Sequence, residues 1–309
     1  MCIRDRFSAV SLIVSTLRMS IPLLIAGMGA VYASRSGMMA MGVESMMLFG
    51  AFGGVFTSYF TGNVLLGFLT GMVCGAAVGL LFGLLTVRFR LNQVIAGVGL
   101  NLFMGAITTV LMEVVWKSSG NSPQVASLTQ AVRVPLLSDI PVVGTIFSSL
   151  SVNFYIALVL LVITQYVVFH TPFGLRLRMV GENPTAANTL GIPVRGYKYT
   201  AMLICGGCAG LAGAYLSLDQ LNMFVQEMTA GRGFIVLVMM ALGKYTPVGT
   251  VLAALLFGFA DALQINLQQA FDVPSQLVQM MPYIVTILVL TFGIKHVKGP
   301  AGTGKLPEE

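Results

Sequence analysis

Four polar side chains lie inside long apolar stretches of the sequence, where an uncompensated polar group is costly. Two of them, Glu44 and Asp261, are ionisable. Asn101 lies near the middle of its apolar stretch, and Gln264 shares a helix face with Asp261 and Gln268. An ionised group at mid-membrane costs about 2.5–3.5 kcal/mol on insertion scales, so it usually faces a cavity or a partner. Glu44, Asn101, Asp261 and Gln264 are therefore candidates to line a passage for a polar solute; alternatively, they hydrogen-bond to neighbouring helices.

Catalytic chemistry finds little support in the residue types. The two histidines, His170 and His296, stand singly at the edges of apolar stretches, with no cluster of carboxylates or cysteines at metal-ligand spacing. The sequence also lacks a glycine-rich phosphate loop followed by Lys and Ser or Thr. We therefore expect no catalytic residue, metal or cofactor, and any ATP used must be bound by another subunit.

The composition is typical of a membrane protein. Of the 309 residues, 56% are hydrophobic and 9% are charged, whereas a soluble domain has about 25% charged residues. A transmembrane helix needs about 20 apolar residues, and its backbone groups must be satisfied internally. The candidate spans are 11–33, 37–60, 64–87, 93–116, 152–170, 198–218, 233–247, 248–270 and 281–294. The seventh and ninth are short, and they are either extended by neighbouring residues or half-spans supported by protein. We therefore predict an all-α, polytopic transmembrane bundle of about nine spans, with a range of about eight to ten.

The distribution of Lys and Arg predicts the orientation. If residues 171–198 are cytoplasmic, eleven basic residues fall on that side and six on the other. This places the N-terminus outside and the C-terminus inside, and it explains the net charge of +6 without nucleic acid. We predict one permeation domain, 1–309, with an outside loop at 117–151 and a loose inner tail at 295–309. The opening MCIRDR (1–6) resembles translated adapter sequence, so we do not interpret it as native.

The polar segment 171–198 carries the signals of a short helix outside the membrane. Asn183 is a suitable N-cap and Pro184 suits the first helical position. Gly191 can end the helix in a left-handed conformation, and Pro193 prevents its continuation. The flanking basic residues are Arg176, Arg178, Arg195 and Lys198. Two interpretations remain open: a knob that docks a soluble partner, or a well-capped loop without one.

Glycines recur at every fourth position of the third apolar stretch, which predicts a groove for another helix. They are Gly67, Gly71, Gly75, Gly79 and Gly83, and the sixth stretch repeats the device with Gly206, Gly210 and Gly213. The tetrapeptide Leu-Leu-Phe-Gly also occurs twice, at 80–83 and 255–258. The predicted topology runs these two stretches in opposite directions, as an inverted internal repeat requires.

Four segments together resemble the permease subunits of ATP-binding-cassette importers, in the branched-chain amino acid and simple sugar permease superfamily. They are SRSGMMAMGVESMMLFGA (34–51), LNQVIAGVGLNLF (91–103), GENPTAANTLGIPVRGYK (181–198) and GRGFIVLVMMALGKYTPVGTVLAALLFGFADALQ (231–264). The branch they most resemble is that of nucleoside-type permeases that work with basic-membrane-protein-like lipoprotein receptors. Ala40 stands where that branch usually has Asn, and Gly42-Val43-Glu44-Ser45 replaces the more usual Gly-Leu-Glu-Gly, which leaves the solute open.

The resemblance implies a function and its partners. It implies a permease that moves a small polar solute, a nucleoside before others, across the bacterial cytoplasmic (inner) membrane, using ATP hydrolysed by a separate ATPase subunit. A second permease subunit, identical or related, and an extracytoplasmic solute-binding lipoprotein would complete the importer. The segment 181–192 would be the coupling helix that fits the ATPase. Its expected contact residues are Glu182, Asn183, Pro184, Thr185, Ala186, Ala187, Asn188, Leu190 and Gly191.

Other classes remain as alternatives. Within the superfamily, the solute is alternatively a sugar or a branched-chain amino acid. Outside it, an ion-coupled secondary transporter would use Glu44 or Asp261 as its proton or sodium carrier. A receptor or scaffold would only anchor a soluble partner, and a membrane enzyme has no catalytic constellation to support it.

Overall fold

Ten bounded α-helices make up most of the chain that the structure describes. The structure is a computed structural model and describes residues 9–118, 120–125, 151–270, 280, 284, 285, 287, 288, 291 and 299–304. The helices are α1 (Ala9–Arg35), α2 (Val43–Thr61), α3 (Val64–Gly83), α4 (Gln93–Trp116), α5 (Val152–His170), α6 (Pro172–Glu182), α7 (Pro184–Thr189), α8 (Val194–Tyr215), α9 (Arg232–Leu242) and α10 (Pro247–Ala270). Two helices continue as π-helical turns, α3 through Leu84–Arg88 and α8 through Leu216–Gln220. The predicted all-α class is therefore confirmed.

Six helices are long and apolar enough to cross a membrane. They are Leu12–Arg35, Val64–Arg88, Gln93–Trp116, Val152–His170, Val194–Gln220 and Pro247–Gln268. Each coincides with one of the predicted spans. The predicted total of nine is not confirmed, because two of the other stretches differ from the prediction and most of the third lies outside the described residues.

Two of these stretches differ from the prediction, each for its own physical reason. In the stretch 37–60, Gly37 has a φ of +77°, which is not a helical conformation. The helix of this stretch starts only at Val43. The stretch 233–247 forms α9, whose 11 residues span about 16 Å at 1.5 Å per residue, roughly half of the ~30 Å hydrocarbon layer. Most of the stretch 281–294 lies outside the described residues.

Helix α8 forms the centre of the bundle. Of the 18 residues in its most apolar stretch, 72% are buried. The helix packs against α1, α2 and α3, and α1 also packs along α10. In the most apolar 18 residues of α3, α4 and α5, only 28%, 28% and 22% of the residues are buried. Much of their apolar surface therefore faces outward, where lipid tails can cover it.

The predicted glycine groove is the contact between α3 and α8. A Cβ atom added to Gly75 would overlap the carbonyl oxygen of Gly206 and lie 2.5 Å from the Cα of Gly210. One added to Gly71 would lie 2.9 Å from the carbonyl oxygen of Gly50, in α2. Because only glycine leaves this space, three helix backbones approach closely and gain dispersion contacts that lipid cannot supply.

Candidate functional site

The short helix α7 has the caps that the sequence predicts. The Oδ1 atom of Asn183 accepts a hydrogen bond from the backbone N–H of Ala186 at 3.0 Å, and Pro184 is the first helical residue. At the other end, Gly191 has a φ of +75°. The prediction of a short, doubly capped helix between two spans is therefore confirmed.

One side of α7 is buried against its neighbours and the other is exposed. Pro184 and Ala187 are buried, and Ala187 packs with Val180 and Val194 of the adjoining helices. Among the residues predicted to contact a partner, the exposed ones are Glu182, Asn183, Thr185, Ala186, Asn188, Leu190 and Gly191. Leu190, a large apolar side chain, is 68% exposed. Single exposed leucines are common on protein surfaces, so Leu190 leaves this side open to a partner without requiring one.

A second helix, α6, precedes α7 and was not predicted. Its start nevertheless carries a signal, since Thr171 Oγ1 accepts a hydrogen bond from the backbone N–H of Gly174 at 3.2 Å and Pro172 occupies the first turn. Leu177 of α6 is fully buried. Helix α6 therefore fixes α7 against the bundle.

The four basic residues around α7 have different surroundings. Arg176 and Arg195 are exposed. The guanidinium of Arg178 lies over the ring of Phe169, 5.1 Å from its centroid. Lys198 is fully buried near the start of α8, so it does not belong to an exposed basic rim. The charge of Lys198 therefore did not reveal that this residue lies on the buried side of α8.

Glu44 holds the start of α9. Its Oε1 accepts a hydrogen bond from the backbone N–H of Gly231 at 2.9 Å, and its Oε2 accepts one from Gly233 at 2.6 Å. The first N–H groups of a helix lack partners within it and carry partial positive charge, which favours a carboxylate there. Glu44 lies in the first turn of α2, because α2 starts at Val43.

The glycines on either side of Arg232 make this contact possible. Gly231 has a φ of +79°, which glycine adopts at little cost. A Cβ atom on Gly233 would lie 2.6 Å from the Cα of Glu44. Sequence reasoning singled out Glu44 but missed these two partners, although both glycines stand at the start of an apolar stretch.

Asn101 ties α4 to the segment that joins α1 to α2. Its Oδ1 accepts a hydrogen bond from the backbone N–H of Ser45 at 3.0 Å, and its Nδ2 donates one to the carbonyl oxygen of Met41 at 3.2 Å. We call the non-helical residues 38–42 the α1–α2 link. Within it, Ala40 is fully buried, so the position at which the nucleoside branch usually has Asn points into the protein here.

Gln93 makes a second contact between α4 and the α1–α2 link, and sequence reasoning missed it. Its Oε1 accepts a hydrogen bond from the backbone N–H of Met39 at 2.7 Å. The available signal was its place on the Asn101 face of α4, eight residues earlier. A cavity of about 410 Å³ opens beside it, lined by Met39, Thr86, Arg90, Leu91, Asn92, Gln93, Val94 and Gly304.

Asp261 and Gln264 lie on α10. Both are partly buried, and the positive charge of Arg232 acts on Asp261. Since Gly231 and Gly233 bind Glu44, the first residues of α9 connect the surroundings of both carboxylates. A second cavity of about 410 Å³ adjoins Arg232 and lies at the opposite end of the bundle, lined by Arg18, Met19, Ser151, Tyr215, Asp219, Gln220, Leu221, Met228, Arg232 and Ile265.

The described part of the inner tail is not loose. The backbone N–H of Gly302 donates a hydrogen bond to the carbonyl oxygen of Gly181 at 2.9 Å, and that of Gly304 donates one to Gly37 at 3.0 Å. This corrects the expectation from sequence, which rested on the shortness and polarity of the tail. The remaining tail residues, 295–298 and 305–309, lie outside the described residues.

Comparison with known proteins reveals relatives over nearly the whole chain. A family model described as branched-chain amino acid transport system, permease component, matches residues 12–290. The chain is 36% identical to the guanosine ABC transporter permease protein NupQ of Bacillus subtilis, over 97% of both chains. It is 34% identical to the nucleoside ABC transporter permease protein NupC of Lactococcus lactis, over 95% of both. It is also 34% identical to TsgC13 of Haloferax volcanii, described as a glucose ABC transporter permease, over 93% of this chain and 92% of that one.

The fold also resembles a solved structure. A chain described as a metal-chelate type ABC transporter in an inward-facing conformation superposes with a TM-score of 0.52. The superposition covers 91% of this chain and 85% of the other, at 15% sequence identity. At that identity the likeness concerns the fold alone.

Proposed function

The chain belongs to the family of branched-chain amino acid transport system permease components, and on that premise we propose that it is the permease subunit of an ATP-binding-cassette importer for a nucleoside. The observation that carries this proposal is the likeness to nucleoside-type permeases along nearly the full length of both chains. The chain is a multi-pass protein of the bacterial cytoplasmic membrane, and six of its described helices can span that membrane.

Helix α7 is the proposed coupling helix. It is short, capped at both ends and anchored on one side by Ala187, while Leu190 and its small neighbours are exposed. A rigid knob of this kind can transmit a push from a soluble protein without deforming. The proposed partner on this surface is a cytoplasmic ATPase, and the complete importer also contains a second permease subunit and an extracytoplasmic solute-binding lipoprotein.

The proposed topology keeps nine spans. Helix α2 is one of the additional spans and α9 is a half-span that begins inside the bundle; most of the predicted span 281–294 lies outside the described residues. The bond pattern at Glu44 supports this role for α9, because a helix that starts within a membrane needs partners for its first N–H groups. Helices interrupted at mid-membrane commonly border the solute path of a transporter.

The proposed solute path passes the start of α9. Glu44 bonds to this start, Asn101 braces the adjacent α1–α2 link, and the charge of Arg232, in the first turn of α9, acts on Asp261 of α10, the helix that also carries Gln264. Binding of ATP would bring the ATPase subunits together and displace α7, and the helix groups on either side of the path would then rock. Both oxygens of Glu44 are engaged by N–H donors, which disfavours the alternative of Glu44 as an ion carrier.

Glucose is the second candidate solute. The likeness to a protein described as a glucose permease has nearly the same identity and coverage as that to NupC. Nucleosides and sugars both carry a polyhydroxylated ring, so the polar groups of the path do not by themselves separate the two. Competition between the two solutes in an uptake assay separates them.

Uptake by the native complex tests the function. The chain is purified from its own membranes with its bound subunits and is reconstituted into liposomes together with the receptor. We expect ATP-dependent uptake of radiolabelled guanosine that excess unlabelled guanosine abolishes and glucose or leucine does not. Competition by glucose instead would transfer the proposal to a sugar, and uptake driven by an ion gradient without ATP would overturn it.

Cross-linking tests the coupling role of α7. A photoreactive cross-linker on Asn188→Cys should capture a nucleotide-hydrolysing subunit, whereas the matched Asn63→Cys, exposed between α2 and α3, should not. Asn183→Ala should then lower uptake, since loss of an N-cap costs a helix about 0.5–2 kcal/mol. Capture from Asn63 but not Asn188 would contradict both the docking surface and the predicted orientation.

A further inference from the structure

The described end of the chain, which we call the tail segment (299–304), bonds to two parts of the inner surface that are distant in sequence. The backbone N–H of Gly302 donates to the carbonyl oxygen of Gly181 at 2.9 Å, and that of Gly304 donates to Gly37 at 3.0 Å. The N–H of Ala301 donates to Oε2 of Glu182 at 3.2 Å. The tail segment thus joins the end of α6 to the end of α1.

Three glycines allow these backbones to meet. A Cβ atom on Gly302 would lie 2.6 Å from the carbonyl oxygen of Gly181 and 2.8 Å from Cδ of Pro184, the first residue of α7. One on Gly37 would lie 3.1 Å from the carbonyl oxygen of Gly302, and one on Gly181 would overlap the carbonyl oxygen of Arg35. Since none of these positions has room for a side chain, displacement of the α7 start displaces both neighbours with it.

The turn between α9 and α10 completes the junction. A Cβ atom on Gly299 would lie 3.2 Å from the Tyr245 hydroxyl oxygen. The Nε of Arg35 donates a hydrogen bond to the carbonyl oxygen of Tyr245 at 2.7 Å. Ends of α1, α6 and α9 therefore meet around a segment of six residues, and the α1–α2 link begins directly after Gly37.

We propose that the tail segment is a strap that keeps the start of α7 in register with the end of α1, and thereby passes displacement of α7 to the α1–α2 link. Its residues are positioning residues that touch neither solute nor nucleotide. The inference rests on the proposed function, since it takes α7 to be the helix that the ATPase moves. Without the strap, the ATPase still binds the exposed face of α7, but its motion no longer reaches Glu44 and Asn101 through the link.

Truncation and substitution test the strap in the complete, reconstituted complex. One variant ends after residue 298 and its control ends after residue 304, so only the first loses the tail segment. Gly302→Val inserts a side chain at the junction, and its matched control is Gly196→Val, where the nearest atom to an added Cβ is 3.9 Å away. Uptake, ATP hydrolysis and the amount of bound ATPase are measured for each.

We expect both strap variants to lower the solute moved per ATP by about tenfold, within the usual range of coupling between sites. The ATPase should remain bound and active, and both controls should match the wild type. If Gly302→Val does not reach the membrane, the pair of truncations and Gly302→Ala decide in its place.

Two results would overturn the strap. Unchanged solute per ATP in both strap variants would show that motion reaches the path without the tail segment. Loss of bound ATPase would make the tail segment a docking element instead. Failure of the proposed function is distinguishable, because it would show in the wild-type complex as uptake that does not depend on ATP.

Discussion

Replacing Glu44 by Gln should release the start of α9. The substitution keeps the size of the side chain, but only one of its two terminal atoms can still accept a hydrogen bond. One of the N–H groups of Gly231 and Gly233 therefore loses its acceptor and faces an amide that also donates. The charge that complements the N-terminus of α9 is lost as well.

The structure gives the magnitude of this effect. A hydrogen bond to a charged group contributes about 1.5–3 kcal/mol, and a charge at a helix terminus contributes about 0.3–1 kcal/mol. The sum, about 2–4 kcal/mol, would raise the population in which the α9 start is detached by about 30- to 700-fold, since 1.4 kcal/mol corresponds to a factor of about ten.

Hydrogen exchange measured by mass spectrometry tests this directly. Peptides that cover residues 229–236 should exchange at least about tenfold faster in Glu44→Gln than in the wild type, because exchange reports local opening. Glu113→Gln is the matched control, since Glu113 is exposed on α4 and the change of charge is the same. Equal exchange of the α9 peptides in the two variants would refute the assignment of Glu44 as the cap of α9.

Two further predictions concern packing and the α1–α2 link. Gly75→Ala should lower the thermal midpoint of the purified protein, because its Cβ meets the backbone of α8 and overpacking costs about 1–3 kcal/mol. Gly99→Ala, at a position with no atom within 4 Å of an added Cβ, should not; equal losses would contradict the glycine groove. Asn101→Leu should speed exchange in residues 38–46, since unsatisfied partners of Asn101 cost about 1–3 kcal/mol each. Unchanged exchange there would remove Asn101 as a brace of the link.

Local signals predicted what depends on local structure. The caps of α7 could be read from Asn183, Pro184 and Gly191, because each acts through atoms within a few residues. The glycine groove could be read as well, since a period of four places residues on one face of a helix. Span lengths at 152–170 and 93–116 follow from apolar composition alone.

The partners of the polar residues could not be predicted, because they are backbone groups that every sequence contains. Nothing in the residue types says that Glu44 accepts from Gly231, 187 residues away, or that Gly302 bonds to Gly181. The sequence left open whether the short stretch 233–247 is a half-span, since an apolar stretch does not reveal that its helix ends at Leu242. Contacts between groups that are far apart in the sequence decide these features.

The polar contacts share a common place in the fold. The tail segment holds Gly37 at one end of the α1–α2 link, and Glu44 holds the α9 start just beyond the other end. Gln93 and Asn101 brace the residues between them, through the N–H of Met39 and the carbonyl oxygen of Met41. Only eight residues, 37–44, therefore separate the junction beside α7 from the start of α9, and the bonds at both ends of this segment limit how far either can move alone. Because this segment is short and bonded at both ends, it would carry a displacement of α7 to the start of α9 under the proposed function. The moving part of the bundle would then be the link and the start of α9, and the glycine-packed contact of α3 with α8 would remain fixed.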